Sequence, residues 1–429
     1  MIGYLTLGLL GLLSLSIPVG IVLFLLGFGI DFFASPFPLI KGLGNQVWST
    51  SNNATLIAIP FFVLLGEILV RSGVATRTYA ALDRWVSWLP GGLVHANIAT
   101  ATMFSATSGS SVATAATVAT VAMPQAEKLG YDPKLFSGAI AAGGTLGIMI
   151  PPSINLIVYG FLTQTSIPRL FLAGLLPGIA LAVAFMLVTV LICMIWPKLG
   201  GQRRIFGLGQ MMRALLDLLP ILFIFGVIIG SIYQGWATPT EAAAVGVAGA
   251  LLIAGAFSGL SWCMMVDSIL GTVKITSMIM LVVLGASFLN FTLAAAGLGR
   301  ELEGFLAGLG LSPLGTIFVV VLIYIVLGFF IETLSLMVVT IPIIVPIIVA
   351  QGYDPIWFAA LYLVAIETGA TSPPFGAALF VMKAVAPPDT TMRDIYVAAI
   401  PFIICDLLAI LILFMVPELV TVPVEMMFR

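Results

Sequence analysis

Two short stretches hold residues able to do chemistry inside long apolar runs. Residues 147–153 read GIMIPPS, and residues 369–376 read GATSPPFG. Two adjacent prolines remove two backbone donors and push the preceding residue out of helical conformation. Each run is therefore expected to unwind near its middle, leaving carbonyls of residues 147–150 and 369–372 without helical partners. Free carbonyls at membrane depth are tolerated where they line a cavity or bind something. A hard cation such as Na⁺ is the natural partner. The helix beyond each break then presents an N-terminus suited to a carboxylate. Two polar tips add oxygens: Thr107, Ser108, Ser110 and Ser111 around Gly109, and Gly328, Glu332 and Thr333 in the second half of the chain.

Other ionisable residues are weaker signals. Glu67, Asp217, Glu241, Glu332 and Glu367 lie in or beside apolar stretches, and Glu332, at a tip, is the strongest candidate. Glu241 opens a span in ATPTEAAAVG and could equally serve the helix start. Glu67 is spaced to pair with Arg71. His95 reads as interfacial rather than as a proton relay. Cys193, Cys263 and Cys405 are far apart and form neither a disulfide framework nor a metal-ligand spacing.

The elements that position these residues are spans. The chain has 429 residues, 61% hydrophobic and 8% charged, whereas soluble domains carry about 25% charged residues. Apolar stretches near bilayer length recur throughout, without the alternation of barrel strands. The fold class is an all-α polytopic membrane protein in a lipid bilayer. The net charge of −2 offers nothing that points to nucleic acid, and none is expected as a partner. Full spans are expected at 2–30 (retained, not a cleaved leader), 48–70, 134–162, 170–196, 213–234, 239–258, 265–296, 356–382 and 396–417. Residues 92–125 and 313–350 are interrupted midway and read as two re-entrant hairpins. Residues 71–89 read as an interfacial helix. With the N-terminus inside, ten basic residues fall on the cytoplasmic side, Arg71 through Arg393, against Lys41, Arg169 and Arg300 outside. This bias places the N-terminus in the cytoplasm and the C-terminus outside. No outer loop is long enough to fold as a receptor.

An internal repeat organises the chain. GYDP occurs at 130–133 and 352–355, an offset of 222, and Pro151-Pro152 maps onto Pro373-Pro374 by the same shift. Nine of 29 positions from 124 to 152 are identical across it, where chance at ordinary composition gives about two. The first repeat is read as 1–211, with hairpin 92–125 and broken helix 134–162. A linking span occupies 212–236, and a second repeat, with hairpin 313–350 and broken helix 356–382, occupies 237–429. The single extra span inverts the second repeat, an arrangement common in secondary transporters with a midplane site.

At these residues the chain resembles the large membrane subunit of tripartite ATP-independent periplasmic (TRAP) transporters. The likeness rests on SGSS at 108–111, GYDP at 130–133, LGIMIPPSINLIVYG at 146–160, LFLAGLLPG at 170–178, ATPTEAAAVG at 237–246 and TGATSPPFG at 368–376. It spans nearly the whole chain in order. Ser372 stands where that family usually has Thr, which keeps the hydroxyl. The resemblance implies an elevator-type, Na⁺-coupled symporter of the bacterial inner membrane. It also implies a small four-helix membrane subunit, a soluble periplasmic substrate-binding protein, and a carboxylate substrate such as a C4-dicarboxylate or sialic acid. One Na⁺ site would be Ser108, Ser110, Gly147 and Ile150. The other would be Gly328, Thr333, Gly369 and Ser372. Substrate would lie near Ser111, Ser153, Glu332 and Thr371. A receptor-independent dicarboxylate carrier of related fold is the alternative. No enzymatic activity is expected: Ser108 has no basic partner for protease chemistry, and no phosphate loop of the G-x-x-x-x-G-K-[ST] type occurs. A non-transporting scaffold subunit would leave two oxygen-rich sites without purpose.

Overall fold

A computed structural model describes residues 2–428, except 36, 109–110, 258, 298–309 and 311. The described residues form helices and turns, without strands. The first half runs α1 (Ile2–Ser14), α2 (Val19–Ala34), α3 (Leu43–Ser51), α4 (Ala54–Arg71) and α5 (Val74–Val86). A helix pair follows, α6 (Gly92–Ser108) and α7 (Ser111–Lys128), then α8 (Pro133–Thr145), α9 (Ile154–Thr163) and α10 (Ile167–Ile195). The long α11 (Leu208–Tyr233) leads to the second half, which opens with α12 (Pro239–Phe257) and α13 (Trp262–Ala295). A second helix pair, α14 (Pro313–Gly328) and α15 (Thr333–Ala350), precedes α16 (Pro355–Thr371), α17 (Ala377–Val385), α18 (Met392–Met415) and α19 (Glu418–Met427).

Among the described residues, seven helices are long and apolar enough to cross a bilayer: α4, α10, α11, α12, α13, α15 and α18. Their outer faces carry bare large apolar side chains, among them Leu187, Leu191, Phe223, Phe318 and Leu408. A water-soluble protein would not expose such a surface. The expected single span at 2–30 is corrected to two helices. Ser16 takes a left-handed φ of 58°, and Pro18 withholds its donor, so the chain turns between α1 and α2.

The repeated GYDP has a local explanation. Gly130 (φ 69°) and Gly352 (φ 87°) end α7 and α15 in the left-handed conformation that glycine adopts freely. Tyr131 N–H then reaches back to Ala126 O, and Tyr353 N–H to Ile348 O. Asp132 and Asp354 cap the next helix by accepting from Lys134 N–H and Ile356 N–H, with proline at the first helical position. One tetrapeptide closes a helix and opens the next, twice.

Packing follows the same offset. α2 lies against α13 and α12 against α4; α6 lies against α8 and α14 against α16. A further matched pair crosses between halves near the breaks: α7 packs on α17, and α15 on α9. The helix before each break thus packs on the helix pair of its own half and the helix after it on the pair of the other half, so the central body draws on both. Small residues permit the closest crossings. A side chain on Gly285 would strike Gly20 O, and one on Gly20 would strike Leu281, so α2 and α13 meet backbone to backbone.

Candidate functional site

The doubled prolines decide the local geometry. Pro151 and Pro152 cannot donate to the carbonyls of Gly147 and Ile148, nor Pro373 and Pro374 to those of Gly369 and Ala370. Both Pro-Pro bonds are cis. In the first break the helix tightens into a 3₁₀ turn at Leu146–Ile148 and then opens. Ser153 caps α9, its hydroxyl donating to the orphaned Ile148 carbonyl and accepting from Leu156 N–H. In the second break α16 stays helical through Thr371, and Ser372 N–H satisfies Gly369 O at 3.0 Å. Unwinding there is shorter than the sequence suggests, because a donor three residues on replaces the missing one four residues on. The Gly147 and Ala370 carbonyls are left without their ordinary helical donors.

The two helix-pair tips meet at one atom. Ser111, the first residue of α7, donates its hydroxyl to Glu367 Oε1 at 3.0 Å. Thr333, the first residue of α15, donates to the same Oε1, also at 3.0 Å. Ser111 and Thr333 are mates under the offset of 222. Glu367 is 3% exposed on α16, and its Oε2 has no hydrogen-bond partner. Asp406 on α18, 1% exposed, has neither oxygen partnered and lies within electrostatic reach of Glu367. No ion pair among the described residues involves either carboxylate. Beside them, Ser111, Gly328, Phe330, Glu332, Thr333 and Ala370 line a small cavity of about 40 Å³.

Of the residues singled out from sequence, Ser110 lies outside the described residues, as does the side chain of Ser108 at the end of α6. Gly147 sits in the 3₁₀ turn, with Ile150 at the bend after it. Gly328 and Gly369 form the crossing of α14 and α16, so close that a side chain on Gly369 would strike Ile325 O and Gly328 Cα. Glu332 caps α15, accepting from Ser335 N–H at 3.1 Å, and is exposed to the cavity. The hydroxyls of Thr371 and Ser372 both turn back into α16, toward Glu367 O and Thr368 O. Ser111, Glu332 and Thr333 thus come together around one cavity, whereas Gly147, Ile150 and Ser153 belong to the other break.

Among the weaker signals, Glu67 pairs with Arg71 at 2.8 Å. Glu241 accepts from Thr238 N–H and Oγ1 at the start of α12, the helix-start role. His95 is buried and hydrogen-bonded to Pro90 O. Sequence reasoning ranked Glu367 below Glu332 and passed over Asp406 and Asn155, a buried, unpartnered amide on α9. The available signal was simple: Asp406 is a carboxylate in the middle of an apolar run.

Residues 6–419 match the family described as tripartite ATP-independent periplasmic transporter, DctM component. Relatives include the C4-dicarboxylate TRAP transporter large permease protein DctM of Pseudomonas aeruginosa, 33% identical over 88% of each chain. The sialic acid TRAP transporter large permease protein SiaM of Vibrio cholerae is 31% identical, covering 96% of this chain and 97% of that one. The 2,3-diketo-L-gulonate TRAP transporter large permease protein YiaN of Escherichia coli is 28% identical over 97% of each. Among solved structures, the Alcanivorax borkumensis YdaH transporter shares the fold at 15% identity, with a TM-score of 0.63 over 89% of this chain and 88% of that one. The chain therefore belongs to the DctM family, the large permease component of tripartite ATP-independent periplasmic transporters.

Proposed function

We propose that the chain is the permease of a Na⁺-coupled symporter that imports a small carboxylate across the bacterial inner membrane by an elevator mechanism. A periplasmic receptor delivers the substrate, and a small membrane subunit completes the transporter. The N-terminus is cytoplasmic and the C-terminus periplasmic. One observation carries the reading. Two proline-interrupted helices and two polar helix-pair tips stand inside an otherwise apolar body, and both tips bond to the second broken helix at Glu367. Ser108, Ser110, Gly147 and Ile150 form one Na⁺ site, and Gly328, Thr333, Gly369 and Ser372 the other. The carboxylate lies between them, near Ser111, Ser153, Glu332 and Thr371. A carboxylate is favoured because relatives are named for C4-dicarboxylate, sialic acid and 2,3-diketo-L-gulonate, and because helix N-termini at the breaks attract anions.

Two Na⁺ entering with one monoanion would move one net positive charge. The membrane potential then contributes about 2.3 kcal/mol per 100 mV, or about 50-fold accumulation. Uptake of labelled carboxylate into proteoliposomes of the complete transporter requires both Na⁺ and the receptor. Equal uptake in K⁺ medium would sink the coupling.

A further inference from the structure

The geometry points to Glu367 as a clasp that holds the two helix-pair tips to one another, so that neither opens independently. This rests on the transport reading above, because it assigns Glu367 a positioning role for the two cation sites. The observation is the shared atom. Ser111 and Thr333 are repeat mates, and each places its hydroxyl 3.0 Å from Glu367 Oε1. One carboxylate oxygen therefore touches both tips at once, and it ties the first half's tip to a helix of the second half.

The sequence differs between the halves at this position. The mate of Glu367 is Thr145, since 145 + 222 = 367. It is a threonine, and its hydroxyl donates to Ala142 O within its own helix at 2.6 Å. The carboxylate at this position thus stands in the second half alone. The contact partners are also the start residues of α7 and α15, so each hydrogen bond pins a helix terminus rather than a mid-helix side chain. A lesion at Ser111 removes one of the two donors and with it the tie between halves, and is felt at the second tip.

The test reads the second tip while damaging the first. In a background with Cys193, Cys263 and Cys405 replaced, Leu334→Cys places a thiol at a buried position of the second tip, where it labels only when the tip opens. The permease, purified with its small subunit, is labelled with a maleimide in the absence of substrate. Ser111→Ala, though it lies in the other half, is expected to raise the labelling rate several-fold. Glu367→Leu is expected to raise it as much, and adding Ser111→Ala to Glu367→Leu to raise it no further. Glu367→Gln keeps a carbonyl oxygen for both hydroxyls and is expected to stay near the parent rate. That conservative rescue separates a clasp from a general loss of packing. An unchanged rate in Ser111→Ala overturns the proposal. So does a Glu367→Gln protein that labels as fast as Glu367→Leu, which would mean that the charge and not the acceptor matters. The readout needs no Na⁺, so it stands even if uptake proves equal in K⁺ medium. Where Na⁺ does drive uptake, a sigmoidal Na⁺ dependence, with a Hill coefficient above about 1.5, is expected to fall to about 1 in Glu367→Leu.

Discussion

The two Pro-Pro breaks begin with the same chemistry and end differently. Both lose two helical donors. The first recovers one lost partner through a side chain, Ser153 to the Ile148 carbonyl. The second recovers one through the backbone, Ser372 N–H to the Gly369 carbonyl. The helix after the first break begins with a serine cap; the helix after the second begins at Gly376, with no side-chain cap. The glycines that seat each broken helix on its partner also stand at different positions. Gly369 meets the backbone of α14 at Ile325 and Gly328, while Gly143 in the first half meets Ile98 Cα of α6 at 3.2 Å from an added methyl. The two breaks lose the same donors, and each is closed by a donor close at hand.

Adding a methyl to each crossing exposes that difference most strongly. Gly369→Ala forces α14 from α16 and is expected to cost about 3 kcal/mol, whereas Gly143→Ala costs about 1. Thermal unfolding of the purified protein in detergent ranks them, and equal midpoints would erase the asymmetry. The caps come next. Ser153→Ala strands the Ile148 carbonyl and the Leu156 amide, for about 2 kcal/mol. Its mate Phe375, half exposed, makes no such bond, so Phe375→Ser is expected to shift the midpoint little. A comparable loss from both would contradict the separate closure of the two breaks. The smallest effects test what the halves share. Asp132→Ala and Asp354→Ala each remove one N-cap and are expected to cost about 1 kcal/mol apiece, equally. Denaturant unfolding that separates them by much more would show that the two GYDP turns are not equivalent.

Much of this was legible in the chain. GYDP announces a glycine turn, a cap and a first-turn proline, all local interactions within a few residues. The doubled prolines announce breaks, because a missing donor is a property of the residue and not of its neighbours. Even so, the length of the second break was not legible. Whether the Gly369 carbonyl is freed depends on where Ser372 N–H points, and that follows from the turn beyond it. The division of 2–30 was masked by its uniform apolarity, although Pro18 marked the place.

By itself the sequence determined the membrane class, the repeat, its two proline breaks and the oxygen-bearing tips, since each follows from composition or from residues adjacent in the chain. The tertiary structure alone decided that Ser111 and Thr333 share Glu367 Oε1, with Asp406 nearby. Those four residues come from α7, α15, α16 and α18. They meet because each half packs its broken helix against the other half, an arrangement set by long-range burial and invisible to any local pattern.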